Sequence, residues 1–156
     1  MKSLLSPLSL LGLTLSLYAL HVEHTLLTTP TFTSLCDLTI PILEVTASCS
    51  KTLSSPESHL LSFFNLVPED SPVYLNPPNA LLGVIFYILT FLSTFTSSVL
   101  PLLKPLTYIS IVVSVYLLSV LIEKGDVCLL CLSTHAINAV IFYGINFTKD
   151  YKLKVN

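Results

Sequence analysis

Four stretches of the chain run almost free of charge and rich in apolar side chains: 4–20, 80–103, 106–122 and 127–147. Each falls within the roughly 17 to 25 residues that a helix needs to cross the hydrocarbon core of a bilayer. Inside lipid every backbone N–H and C=O must bond within its own segment, which leaves helices as the economical spanning element. The pattern predicts an all-α membrane protein, a bundle of four transmembrane helices. Pro101, Lys104 and Pro105 are expected to turn the chain between the second and third spans, and Glu123-Lys124-Gly125-Asp126 between the third and fourth. Charged residues make up 10% of the 156, against about a quarter in a soluble domain, so the surface is one that water does not cover.

Charge also excludes functions. The net charge is −2 and all seven basic residues are lysines. Nucleic-acid binding needs a basic stripe, and there is none. The four glycines are scattered, with no glycine-rich phosphate loop. Lys2, Lys104 and the tail lysines Lys149, Lys152 and Lys154 fall on one side of a four-span map, which the positive-inside rule makes cytosolic together with both termini. The first stretch also resembles a secretory signal peptide, but no clear small-residue cleavage site follows near His21 and Val22.

The other side then holds a large, mostly acidic loop, 21–79. Within it Leu60, Leu61, Phe63, Phe64, Leu66 and Val67 form an apolar patch closed by Pro68. That patch suits a short cap helix lying in the membrane interface; ordinary packing within the loop is the equal alternative.

All four cysteines map to this same face. Cys36 and Cys49 lie in the loop, and Cys128 and Cys131 open the fourth span. For a eukaryotic chain the compartment is the lumen of the endoplasmic reticulum, where disulfides form and exchange. Cys128-Leu-Leu-Cys131 has the spacing of thiol–disulfide enzymes, which puts both sulfurs on one helix face. Asp126 is placed to cap that helix, leaving Cys128 in the first turn, where exposed N–H groups and the helix dipole favour a thiolate. A structural zinc site, with the four cysteines as ligands, and a plain structural Cys36–Cys49 disulfide are the duller alternatives. Cys128, Cys131, His135 and Asn138 share one helical stripe. Polar groups inside a span are costly and line cavities or partner one another, so His135 is a candidate hydrogen-bond donor to a carbonyl-bearing substrate, unless it only satisfies a neighbouring helix. Asn79, at the mouth of the second span, can reach the same pocket or act as a helix cap.

These residues carry a resemblance. Leu35-Cys36-Asp37, Ser48-Cys49-Ser50, Asn76 to Asn79 with Gly83 and Ile85-Phe86-Tyr87, and Cys128-Leu-Leu-Cys131 followed by Thr134-His135-Ala136-Ile137-Asn138 resemble the vitamin K epoxide reductase family. The resemblance implies one domain over 1–156 and a membrane thiol–disulfide oxidoreductase that reduces vitamin K epoxide or vitamin K quinone. It implies Cys128 and Cys131 as the catalytic pair, with Cys131 beside the quinone. Cys49 would form a transient disulfide with Cys128. Cys36 would take electrons from a luminal thioredoxin-like partner of the protein disulfide isomerase type. Asn79 and His135 would bind substrate oxygens. No metal or tightly bound cofactor is implied, since the lipid-soluble quinone is a substrate. The chain departs from the family in having His135 where a tyrosine is usual, and in the twelve residues between the loop cysteines, a longer interval than the animal enzymes have, as an insertion around Ile40-Pro41-Ile42 would produce.

On this reading Cys131 attacks the substrate ring, Cys128 resolves the adduct, and Cys49 and Cys36 restore the dithiol, with Lys51 placed to help ionise Cys49. Two rival functions keep the same residues: a quinone-driven oxidase that forms disulfides in secreted proteins, and a four-span scaffold with structural disulfides. The Asn146-Phe147-Thr148 sequon lies at the expected cytosolic end of the fourth span, where no glycan is added.

Overall fold

The computed structural model describes residues 2–40, 45–68, 71–125 and 127–148. Among the described residues six α-helices carry the fold: α1 (Lys2–Thr28), α2 (Cys49–Leu53), α3 (Leu60–Phe63), α4 (Asn79–Phe95), α5 (Leu100–Lys124) and α6 (Leu129–Phe147). A two-stranded antiparallel ribbon, β1 (Leu38–Ile40) and β2 (Val45–Ala47), stands in the loop between α1 and α2. The expected insertion straddles this ribbon, and its residues 41–44 lie outside the described segments.

Three helices, α1, α5 and α6, are long and apolar enough to cross a membrane; α4 is a shorter apolar helix of 17 residues. The observed boundaries correct the expected ones. The first helix runs on from the expected end at 20 to Thr28, so the loop begins later than 21. The reversal between the second and third spans falls at Thr96–Val99, not at Pro101–Pro105. The physical reason is that a proline near a helix start costs little, because the first N–H groups have no partner inside the helix. Pro101 is the second residue of α5 and Pro105 the sixth, as Pro7 is the sixth of α1. Pro101 thus marks where α5 begins, while Pro105 and Pro7 lie inside their helices, about a turn past the start, each at the loss of one backbone hydrogen bond.

α1 is central to the packing. Leu5, Ser9, Ser16, Ala19 and Val22 are buried along one stripe, while Leu4, Leu11 and Leu17 point outward. Small residues on the buried stripe let α4 approach closely, as helices in lipid require. At Gly12 a Cβ would lie 2.3 Å from the Tyr87 ring of α4, so the absence of a side chain is what admits the aromatic. Buried hydroxyls return their hydrogen bonds to their own helices, as Thr90 does to the Phe86 carbonyl (2.8 Å) and Thr107 to that of Lys104 (2.7 Å).

Two packed clusters result. One joins Leu5, Phe86, Tyr87, Leu100, Leu103, Ile137, Ile141 and Ile145. The other, at the loop end, joins Ala19, Val22, Cys49, Leu53, Leu121, Cys128 and Leu130. The second is where the loop docks on the bundle. α5 ends on Gly125 in the left-handed conformation (φ 66°), which turns the chain towards α6. Ala47 then bridges Val127, and the Ser48 N–H donates to the Val127 carbonyl at 2.9 Å.

The apolar patch forms only the single turn α3, followed by Asn65 with φ 54°. Leu60 points inward over the bundle, while Phe64 and Leu66 are exposed. Asn146, the sequon asparagine, is committed within the bundle, donating to Thr107 Oγ1 at 2.9 Å and the Phe142 carbonyl at 3.0 Å.

Candidate functional site

The loop bridge that fixes Ser48 against Val127 sets the cysteine geometry, because Cys49 and Cys128 are the next residues along each segment. Both are fully buried, and both belong to the same packed cluster, which Cys36 and Cys131 flank. The sulfurs are paired as Cys36–Cys49 (Cα–Cα 5.7 Å) and Cys128–Cys131 (Cα–Cα 5.2 Å). The four thiols expected on one face therefore converge, as two adjacent disulfides. Among the described residues no cluster of metal-ligating side chains is present.

Cys128 is not in the first turn of α6, as the sequence suggested. It is the N-cap itself, in extended conformation, with its sulfur accepting from the Cys131 N–H at 3.2 Å. Asp126, expected to be the cap, lies outside the described residues. The consequence is a division of labour. Cys131 opens on the large cavity of the bundle, while Cys128 turns to the loop.

The loop pair is held by Asp37. Its carboxylate accepts from the Ser34 N–H (2.7 Å), from the Ser50 N–H (3.0 Å) and, closely, from the Ser50 hydroxyl. This ties the Cys36 segment to the N-terminus of α2, where an anion is favoured. Burial alone would raise the Asp37 pKa, but hydrogen bonds from Ser50 and Ser34 outweigh it and hold the group at about 2. Leu35, beside Cys36, is almost fully exposed (86%), so this end of the pair faces outward. Lys51 lies on the exposed side of α2, whereas Cys49 is buried.

The cavity has a volume of about 380 Å³ and apolar walls from α1, α4, α5 and α6. That is a size at which pockets hold small organic ligands. Leu82, Ile85 and Ile109 line it and are also 42%, 50% and 57% exposed, so it opens sideways between α4 and α5. His135 lines it too, and both ring nitrogens are buried without a hydrogen-bond partner among the described residues. A buried polar group without a partner costs free energy, and one facing a cavity is placed for a ligand. Thus His135 does not spend itself on a neighbouring helix.

Asn79 also lines the cavity, but its amide is committed. Nδ2 donates to the Glu57 carbonyl at 2.6 Å and Oδ1 accepts from the Leu60 N–H at 3.3 Å. It is the first residue of α4, with Pro78 as N-cap, so it acts as neither cap nor free donor; it fastens the loop over the cavity mouth. Lys124 fastens the same segment from α5, with Nζ 2.7 Å from Glu57 Oε1. Burial raises the Glu57 pKa, but Lys124 and nearby hydrogen bonds prevail and leave it below the usual carboxylate range.

Asn138, on the expected stripe, reaches the cavity as a brace. Its Oδ1 accepts from the Tyr87 hydroxyl at 2.8 Å and its Nδ2 donates to Ser114 Oγ at 3.2 Å. Sequence reasoning assigned no role to Tyr87, nor to Glu23, which also lines the cavity. On the sequence Glu23 was one acid among several in the loop 21–79, and it joins the helix only because α1 extends to Thr28.

A family description, the vitamin K epoxide reductase family, matches residues 4–145. The chain is 33% identical over 154 residues to vitamin K epoxide reductase complex subunit 1 of Rattus norvegicus, covering 94% of this chain and 90% of the relative. It is 35% identical over 137 residues to the protein of the same name from Mus musculus, covering 84% and 80%. The cysteine pair on α6, the helices fit to cross a membrane and these matches together indicate a membrane oxidoreductase. The chain belongs to the vitamin K epoxide reductase family.

Proposed function

We propose that this chain is a four-span enzyme of the endoplasmic reticulum membrane, with both termini cytosolic, that reduces vitamin K quinone, vitamin K epoxide or both. One observation carries the reading: Cys131 and the unpartnered His135 open on the same apolar cavity, which is itself open to the lipid side. A quinone is a polar ring on a long apolar tail. The cavity offers a sulfur and a hydrogen-bond donor to the ring, and a lateral exit to the tail.

In the reduced enzyme Cys131 attacks a ring carbon. Cys128, one helical turn away, attacks Cys131 in turn, which forms the Cys128–Cys131 disulfide and releases the reduced ring. The two sulfurs lose two electrons on forming the disulfide; the quinone gains them with two protons and becomes the hydroquinone, or the epoxide gains them with two protons and gives quinone and water. Cys49, held beside Cys128 by the Ser48–Val127 contact, then attacks Cys128, and Cys36 closes the Cys36–Cys49 disulfide. A luminal thioredoxin-like protein reduces that disulfide at Cys36, which is half-buried beside the exposed Leu35. His135 holds one ring oxygen in the place of the family's usual tyrosine. Asn79, tied to Glu57 and Leu60, acts on the second oxygen by holding the loop closed, and reaches it directly only if those bonds exchange. The short helix α3 and the exposed Phe64 and Leu66 lie in the membrane interface.

The test is turnover of vitamin K quinone and epoxide by the purified chain in micelles, with dithiothreitol as reductant. The parent consumes quinone and Cys131→Ala does not. Undiminished activity in Cys131→Ala overturns the scheme. Net oxidation of a luminal thiol protein by quinone assigns the opposite direction, and no thermal protection by quinone assigns a scaffold.

A further inference from the structure

The cavity has a second polar end that the scheme above does not use. Glu23 enters it from α1, is 8% exposed, and its two carboxyl oxygens are buried without an ordinary hydrogen bond among the described residues. His59 Nδ1 stands 3.5 Å from Glu23 Oε1 and shares a 3.0 Å hydrogen bond with the Ser58 hydroxyl. The His59 side chain is 32% exposed, so the pair forms a file from loop-side water to the cavity.

We propose that Glu23 is the proton donor to a ring oxygen of the quinone-class substrate, re-protonated through His59. This rests on the functional reading above. The need follows from the balance of the step. If Cys131 attacks as a thiolate, the reacting thiols bring one proton, that of Cys128, whereas a hydroquinone requires two. The carboxyl gives the second to the ring oxygen and becomes a carboxylate; the disulfide carries away no charge. His59 then passes a proton from water to Glu23. The charge is conserved, since one thiolate is consumed and one carboxylate is formed.

The position fits. Ala19, four residues before Glu23, belongs to the packed cluster that Cys131 flanks, so Glu23 stands about 6 Å further towards the loop. A ring seated on Cys131 presents its edge there. Other groups facing this end are otherwise engaged or lack a route to water. Glu57 is paired with Lys124, and Asn79 holds the loop. Tyr87 donates to Asn138. His135 can hold an oxygen, but neither ring nitrogen has a hydrogen-bond partner among the described residues to replenish a proton. His21 and His24, on α1 itself, are on its exposed face.

The experiment compares the parent with Glu23→Gln, which keeps the shape but carries no acid. Vitamin K quinone turnover is measured against pH, with quinone binding and dithiothreitol reduction of Cys128–Cys131 measured separately. The expected result is a fall in kcat of about 100-fold or more, the scale of a lost general acid. Quinone Kd and disulfide reduction stay within about threefold of the parent, a factor of three being under 1 kcal/mol. Acetate partly restores Glu23→Ala. His59→Gln, at a partly exposed position, slows turnover about tenfold and changes the pH profile, and carries the test if Glu23 variants fail to fold. A Glu23→Gln chain with parent kcat and pH profile overturns the assignment alone, as does a loss matched by weakened binding. A parent that reduces no quinone overturns the functional reading itself.

Discussion

Replacing Gly12 with alanine tests the packing that shapes the cavity. The added Cβ would lie 2.3 Å from the Tyr87 ring. Carbon atoms in contact sit about 3.5–4.0 Å apart, so the ring must withdraw by roughly 1.2–1.7 Å. Its hydroxyl bond to Asn138, 2.8 Å in the parent, does not survive that shift. Overpacking costs about 1–3 kcal/mol, and leaving the buried Asn138 acceptor unpaired about 1–3 kcal/mol more. The expected destabilisation is therefore about 2–6 kcal/mol by chemical unfolding in mixed micelles. Because Tyr87 and Asn138 both line the cavity, quinone protection against unfolding should weaken with it. The companion variant is Gly12→Ala with Tyr87→Leu, whose smaller side chain leaves room for the methyl. Restoration of part of the lost stability in the pair, beyond the sum of the single effects, is the signature of a direct clash. A Gly12→Ala chain with parent stability and parent quinone protection refutes the reasoning.

Three further outcomes follow from the site. Asp37→Asn should loosen the loop pair and cost about 1 kcal/mol after solvent screening. The Asp37 pKa falls from 3.8 to about 2 on folding, so its contribution is complete above about pH 4 and vanishes as pH drops through 2; denaturation curves of parent and variant should converge over that window. His135→Phe should raise the quinone Kd about five- to tenfold, the worth of one hydrogen bond, while His135→Tyr keeps it near the parent; fluorescence quenching reads both, and equal affinities for all three exclude His135 as a contact. Lys124→Gln should open the loop over the cavity, seen as faster hydrogen exchange in 55–60; unchanged exchange removes the Glu57–Lys124 pair as a fastener.

What the sequence discloses here is the covalent logic. A two-residue gap between Cys128 and Cys131 permits few geometries, and hydropathy sorts all four cysteines to one face. The helical period also put His135 on the same cavity as Cys131, because the 19 residues of α6 make about five turns of regular helix. Pro105 misled because its effect depends on where the helix begins, which Thr96–Val99 decides. Cys128 was moved from the first turn to the cap by Ala47 and Val127, a contact between segments about eighty positions apart. The commitment of Asn79 to Glu57 and Leu60, and the meeting of Gly12 with Tyr87, are likewise tertiary facts with no local signature. Glu23 was visible as one acid among several in a loop, and only the extension of α1 to Thr28 brings it inside.

The relay stands or falls on whether the loop sulfur reaches the helix-tip sulfur. Cys131→Ser leaves Cys128 as an unpaired thiol beside the Cys36–Cys49 disulfide, whose Cys49 is buried with it. Non-reducing peptide mapping of that variant, alkylated at once from intact membranes, should find Cys49 joined to Cys128 and Cys36 alkylated. Recovery of Cys36–Cys49 intact with Cys128 alkylated would contradict the account.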